Sequence, residues 1–266
     1  MSLAPAQRAE AREVALEAAQ EAGEILLAFF GHLDPSRTGR KSAGRDLVTE
    51  ADLASERCLV ERLRERLPGH AIEAEEEVKD ELSAAPRWFL DPLDGTVNFV
   101  HGLPLFAVSL GLFVAGEPEV AVVHAPRLGE TFHAVRGGGA YLGEERLRVS
   151  SCERLSEAVL ATGFPYRRES LRANNLENFA GLFLDVRDLR RLGAATLDLA
   201  FTAAGRIDGF WELHLAPHDV AAGALLVREA GGRVTDLDGG EDWLRGGHIV
   251  ASGVALHETL RRRLRR

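Results

Sequence analysis

The chain has 266 residues, enough for one large domain or two small ones, and a 45% hydrophobic content supports a sizeable core. Its 32 basic and 41 acidic residues leave a net charge of −9, which argues against a general nucleic-acid or membrane-surface binder. Two cysteines without C-x-x-C spacing argue against a disulfide framework or a thiolate zinc site and fit a reducing cytoplasm. The charged start predicts no signal peptide, and no apolar stretch reaches the roughly 20 residues of a membrane span.

The first helix is expected over Pro5 to about Phe30, where Val14, Ala18, Ala22, Leu26 and Phe29 recur at helical spacing. Gly31 to Gly44 reads as a loop rich in Gly, Ser and basic residues. A second helix starts near Thr49, where Thr49-x-x-Asp52 has the pattern of a capping box, and stops at Pro68-Gly69. Ala71–Ala74 and Arg87–Leu90 are short strands; the first runs into Glu75-Glu76-Glu77 and the second ends at Asp91. Phe106–Val114, Glu119–His124, Glu130–Val135 and Leu147–Val149 alternate with turns and predict antiparallel strands. From Ala158 onward, strands at Val159–Thr162, Asp188–Arg191, Gly209–Glu212, Gly232–Asp236 and His248–Ser252 alternate with helices. The helices are expected over Glu169–Leu184, Ala194–Ala204, Asp219–Ala230 and Leu256–Arg265. The first half, about 1–150, thus reads as α+β and the second, about 151–266, as α/β. No linker divides them, so one domain over 1–266 of stacked helix and sheet layers with mixed strand directions is expected.

The stretch WFLDPLDGTVNF, from Trp88 to Phe99, concentrates the chemistry. Asp91 ends a strand, Pro92 stiffens the next step, and the Leu93 carbonyl can point the same way as the carboxylates. Asp94 adds a second acid, Gly95 lets backbone approach a ligand, and Thr96 supplies a hydroxyl at a possible helix start that suits an anion. Hard cations such as Mg²⁺ take oxygen donors of these kinds at about 2.1 Å. The same residues also suit an Asx-type turn with a capped helix. Glu75, Glu76 and Glu77 read equally as a solvated loop, Asp219 as a helix N-cap and Asp52 as a capping-box acid. Their shared placement at strand ends and helix starts makes a common cluster plausible. Familiar phosphate motifs are missing. There is no G-x-x-x-x-G-K-[ST] loop, RGGGAYLG lacks G-x-G-x-x-G spacing, and Asp91 and Asp94 stand one residue too far apart for the D-x-D of aspartyl-phosphate enzymes. Gly163-Phe164-Pro165 reads as a turn.

The combination resembles the inositol monophosphatase family of Mg²⁺-dependent, lithium-sensitive phosphatases. The matching stretches are DLVTEAD (46–52), AEE (74–76), DPLDGTVNFVHG (91–102), RLGAATLDLA (191–200) and HDVAAGALLVREAGG (218–232), in the family's order. ATGFPY (161–166) and GRIDGFWE (205–212) look like the bacterial branch. The resemblance implies a layered αβαβα fold, a homodimer, and hydrolysis of a phosphate monoester by metal-activated water. Glu75, Asp91 and the Leu93 carbonyl would hold a first Mg²⁺. Asp91 would bridge to a second ion completed by Asp94 and Asp219, and a third, weaker ion would lean on Glu75. Asp52 and Thr96 would orient and deprotonate the water, with Glu76 in support. Gly95 and Thr96 would hold the phosphate, Ala195 and Glu212 would face the alcohol, and Lys41 would approach from the loop. Glu75 is preferred to Glu76 because Ala74 occupies the small-residue place before the E-E pair.

One departure concerns His218, which stands where the family usually has Trp. His214 lies four residues before it, but Pro217 argues against one helix carrying both, and His218 is read as a packing or hydrogen-bonding substitute. The favoured substrate is myo-inositol 1-phosphate or a similar polyol phosphate. Alternatives are fructose 1,6-bisphosphate, histidinol phosphate and 3′-phosphoadenosine 5′-phosphate. A reading from another class is an interaction protein that keeps the fold. The arginines of Arg261–Arg266 could touch nucleic acid, although a solvated helix end explains them more simply.

Overall fold

The computed structural model describes residues 3–32, 39–40, 47–81 and 86–265. Helix α1 (Pro5–Phe29) buries Val14, Ala18, Ala22 and Leu26 in line with the helical spacing, and Phe29 is partly buried. A short ribbon of β1 (Gly39–Arg40) and β2 (Leu47–Val48) precedes α2 (Glu50–Arg66). Thr49 caps α2: its hydroxyl accepts from the Ala51 N–H, and Asp52 accepts from the Thr49 N–H. The next elements are β3 (Ala71–Ala74), β4 (Arg87–Asp94), the one-turn α3 (Thr96–Val100), β5 (Ala107–Val114), β6 (Glu117–Ala125), β7 (Glu130–Val135), β8 (Gly139–Leu142) and β9 (Glu145–Arg146). They form a seven-stranded sheet in sequence order, with β3 parallel to β4 and every later pairing antiparallel.

The second half contributes β10 (Val159–Thr162), α4 (Leu176–Phe183), β11 (Asp188–Arg190), α5 (Ala195–Ala203), β12 (Gly209–Leu213), α6 (Pro217–Glu229), β13 (Gly232–Thr235), β14 (His248–Gly253) and α7 (Val254–Arg261). Its five strands run in the order β11-β10-β12-β14-β13; β10 is parallel to β11 and β12, and β14 is antiparallel to both its neighbours.

Side-chain alternation explains the layers. In the large sheet Trp88, Leu90, Val108, Leu110, Val120 and Val122 face α1 and α2, while Phe89, Ala107, Ala121 and Val123 face α5 and α6. The middle helices pack on both sheets, and α4 and α7 cover the outer face of the five-stranded sheet. The result is the expected αβαβα sandwich with mixed sheets. Small residues set its close contacts: a Cβ on Gly111 would lie 2.7 Å from the Ala221 Cβ, so α6 can sit directly on β5.

Four expectations on elements change. The strand expected to stop before Asp91 continues to Asp94 through a bulge, because Pro92 offers no N–H to the ladder. Leu147–Val149 is not a strand, since the Val149 N–H turns to the Ala230 carbonyl and the chain leaves the sheet; the strands before it are β8, hidden in a glycine-rich stretch, and the two-residue β9. The helix expected over Glu169–Leu184 shortens to α4. Asn175 holds a positive φ of 74° there, and its side chain is engaged by Thr162, Gly163 and Trp211. Asp219 is the third residue of α6 rather than its N-cap.

Candidate active site

The bulge in β4 organises the site. With Pro92 interrupting the ladder, the Leu93 N–H donates to Asp91 Oδ1 at 3.0 Å, and the Pro92 carbonyl accepts from Ser55 of α2 at 2.7 Å. Asp91 and Asp94, in register with Ser109 and Ala107, are both buried. Gly95 then takes φ +89°, and a Cβ there would come within 2.8 Å of the Leu105 carbonyl, so this position is closed to other residues without strain. The turn opens α3. Thr96 Oγ1 lies 3.2 Å from Asp52 Oδ1 and 3.1 Å from the Leu93 carbonyl, and it can donate to either.

Glu75 is placed by β3, whose parallel register it extends by donating its N–H to the Leu90 carbonyl at 3.1 Å. The following turn is held by Glu56 of α2, a buried carboxylate that accepts from the N–H groups of Glu76, Glu77 and Val78 at 2.8, 2.8 and 3.1 Å. The Glu75 carboxyl lies against that of Asp91, with ligand atoms within 4.8 Å; Glu76 is half-buried and Glu77 is exposed. Asp94 is tied to the start of α5, where the Thr196 N–H and hydroxyl donate to its Oδ2 at 2.7 and 2.5 Å. Asp219 stands on the first turn of α6 and accepts the Ala216 N–H at 2.6 Å.

These acids converge. Burial, then the charges of Glu75, Asp94 and Asp219, push the Asp91 carboxyl well above the usual carboxylate range. Asp94 is pushed up to about 7 by burial and Asp219, against the two Thr196 donors. Asp94, Asp219, Ala195 and Glu212 line one cleft with Arg191 and Tyr166. Glu212 lies on β12 and rises to about 8, chiefly through burial, with Arg191 opposing and Asp219 and Asp94 adding to the shift.

Several further residues contribute. Gly163 leaves room for the Glu212 carboxyl, since a Cβ at that position would lie 2.1 Å from Glu212 Oε2. Asn98 donates to the Leu105 and Leu192 carbonyls at 2.7 and 2.8 Å, joining α3 to the loop before α5. Asp198 is buried on α5, and burial, followed by Glu212 and Asp94, raises its carboxyl well above the ordinary range. His218 joins Glu75 and Asp91: one potential ligand atom from each lies within 4.8 Å of the others. Asn98, Gly163 and Asp198 were given no site role from sequence, although each lies inside a stretch that matches the family. Lys41 falls outside the described residues.

The donor set fits divalent cations. Among the described residues, the buried Asp91 and Asp94 carboxyls crowd against Glu75 and Asp219, and protonation or positive ions would relieve their repulsion. Oxygen donors suit hard ions such as Mg²⁺.

Comparison with known proteins gives one consistent picture. The family model for the inositol monophosphatase family matches residues 7–266. The Pseudomonas aeruginosa protein named Nus factor SuhB is 46% identical over 254 residues, covering 93% of each chain. The Mesorhizobium japonicum protein named inositol-1-monophosphatase is 41% identical over 249 residues, again covering 93% of each. Among solved structures, the extragenic suppressor protein suhB of Bartonella henselae superposes with a TM-score of 0.89 at 39% identity, covering 96% of this chain and 98% of that one.

Proposed function

The chain belongs to the inositol monophosphatase family, and from that premise we propose that it is a Mg²⁺-dependent phosphate monoester hydrolase, with myo-inositol 1-phosphate or a similar polyol phosphate as substrate. The observation that carries this reading is the convergence of Glu75, Asp91, Asp94 and Asp219 beside a cleft floored by Glu212.

Glu75, Asp91 and the Leu93 carbonyl would hold one ion, with Asp91 shared with a second held by Asp94 and Asp219. A third, weaker ion would lean on Glu75. Bound divalent ions supply an acidified water and charge stabilisation for the leaving oxygen. The chain's own residues do the rest. Thr96 Oγ1, set between Asp52 Oδ1 and the Leu93 carbonyl, orients the attacking water, and Asp52 Oδ1 takes its proton. Asp52 is fixed for this by its second oxygen, which accepts from the Thr49 N–H and hydroxyl at 2.9 and 2.6 Å. The Gly95 and Thr96 N–H groups hold the phosphate. Ala195 keeps the wall of the cleft small, and Glu212 meets the substrate hydroxyls. Glu76 supports the Glu75 turn.

The test is kcat/KM over a panel of myo-inositol 1-phosphate, fructose 1,6-bisphosphate, histidinol phosphate and 3′-phosphoadenosine 5′-phosphate, with Mg²⁺ and with chelator. The polyol monoester should lead, and chelation should abolish release. Phosphate release that survives chelation would overturn the metal reading; a different leading substrate would overturn the substrate. Inhibition by lithium, a homodimer and a cytoplasmic location belong to the same proposal. Among the described residues no helix is long and apolar enough to cross a membrane.

A second reading, an interaction protein that keeps the fold, is favoured by the relative named as a Nus factor. The C-terminal arginines give it little help. Arg261 and Arg262 pair with Glu258, and Arg263 pairs with Asp185, so much of that positive charge is already matched.

A further inference from the structure

We propose that His218 is itself a metal ligand, giving the Glu75–Asp91 ion a nitrogen donor and widening the site from Mg²⁺ toward Mn²⁺, Co²⁺ and Zn²⁺. The inference rests on the reading of this cluster as a divalent-metal centre. It concerns the position where this chain departs from the tryptophan usual in the family.

The geometry carries it. An ion about 2.1 Å from each donor sets ligand atoms about 3.0 Å apart at adjacent corners of an octahedron and about 4.2 Å apart at opposite ones. Glu75, Asp91 and His218 already offer atoms within 4.8 Å of one another. Drawing the three atoms together by up to about 2 Å, which rotation of the Glu75 and His218 side chains can supply, brings them to coordinating separations. His218 is held there by the fold. It is the second residue of α6, directly after Pro217, whose fixed φ suits a first helical turn, and directly before Asp219. Its Nε2 lies 3.9 Å from Asp219 Oδ1, and its side chain is 17% exposed. The ring therefore faces the acids of both walls.

The chemistry of the substitution points the same way. An indole N–H only donates, so a tryptophan here can pack or hydrogen-bond but cannot ligate. An imidazole carries a lone pair and is among the commonest metal ligands. Replacing a non-ligand by imidazole beside two carboxylates changes an all-oxygen donor set into a mixed N/O set. Imidazole suits Zn²⁺ and other transition metals, whereas Mg²⁺ prefers oxygen and retains water. The alternative is that His218 only hydrogen-bonds a carboxylate, for which it needs no place in the coordination sphere.

The two cases separate spectroscopically, without reference to turnover. The full chain is loaded with Mn²⁺ and examined by pulsed electron paramagnetic resonance. Directly coordinated imidazole gives ¹⁴N modulation, which should become a ¹⁵N pattern when the unmodified protein is grown with ¹⁵N-histidine. His218→Trp and His218→Gln should still bind Mn²⁺ through the carboxylates but lose the nitrogen signal. Zn²⁺ affinity should fall at least about tenfold, while Mg²⁺ affinity changes less than about threefold. Mn²⁺ bound to the wild-type chain with no histidine nitrogen coupling would overturn the inference and leave the metal-centre reading standing. Failure of the wild-type chain to bind Mn²⁺, or binding untouched by Asp91→Asn, would instead overturn that underlying reading. Because the isotope experiment uses the native sequence, a variant that folds poorly does not spoil the test.

Discussion

The two walls of the cleft are built on different terms. On the wall made by α2 and the large sheet, Asp52, Asp91 and Asp94 are buried, and each has a carboxylate oxygen committed to a neighbouring donor: Thr49, the Leu93 N–H and Thr196. On the opposite wall, His218 and Asp219 stand half-buried on the first turn of α6. Glu212 is the exception there, buried and packed over Gly163. The first wall thus has its charges oriented by the fold, at the cost of desolvation. The second carries less buried groups: Asp219 also has one oxygen committed, to the Ala216 N–H, but its carboxyl and the His218 ring both reach solvent. Under the proposed metal-bound reading, Asp91 would stay fixed while the less buried groups of α6 close on what binds.

The sharpest way to break this contrast is Asp91→Asn. It removes the acid proposed to serve both ions while preserving shape, so turnover should fall by about a thousandfold or more, equivalent to about 4 kcal/mol. Because the Asp91 carboxyl is held above its ordinary range by burial and like charges, the metal-free variant should melt no lower than wild type near neutral pH. Near-normal phosphate release by the folded variant would remove Asp91 from the mechanism. Gly163→Ala probes the other wall. The added Cβ must displace the Glu212 carboxyl, and kcat/KM for the polyol phosphate should drop about 10- to 100-fold with Mg²⁺ affinity retained. If Mg²⁺ affinity falls in parallel, the walls are not separable in the way described.

Glu56→Gln sharpens the contrast at its edge. One Glu56 oxygen accepts from the Glu77 and Val78 N–H groups and the other from Glu76. An amide replaces one acceptor with a donor facing a donor, which should cost about 1–3 kcal/mol of stability. Through the loosened Glu75 turn it should weaken metal binding about tenfold. Unchanged titration of Mg²⁺ by the variant would show that Glu75 is held by β3 alone.

How much of this was readable beforehand depends on whether the cause is local. The Asp91–Thr96 turn was legible because Pro, Gly and Thr at fixed offsets each have a short-range physical role, and the Thr49–Asp52 cap for the same reason. The layered fold followed from strands alternating with turns in the first half and with helices in the second, and from the helical spacing in α1. Glu56 was not legible: on a charged helix it resembles solvent-facing neighbours, and only the return of the chain at Glu76–Val78 buries it. Asn175 likewise breaks the expected long helix because Trp211 and Thr162, distant in sequence, engage its amide. The meeting of His218 with Glu75 depends on how the end of β3 faces the start of α6. Nothing within either segment encodes that distance.

The pH dependence of the metal-free protein tests the electrostatic side of the comparison with the smallest expected effect. Asp94 and Glu212 reach about 7 and about 8 in the folded chain, against roughly 4 for unfolded carboxyls. Between those limits the folded state keeps protons that the unfolded chain has released, so stability falls as pH rises. The contribution is whole below about pH 4 and is lost by about pH 8 to 9. Urea unfolding in chelator should therefore show stability declining from pH 6 to pH 8, by about 1 kcal/mol per pH unit for each group still protonated. Glu212→Gln should flatten its share, and saturating Mg²⁺ should reverse the trend by binding the ionised cluster in the folded state alone. A level profile in chelator, identical for wild type and Glu212→Gln, would mean that water reaches these carboxyls and that neither wall holds its charges under strain.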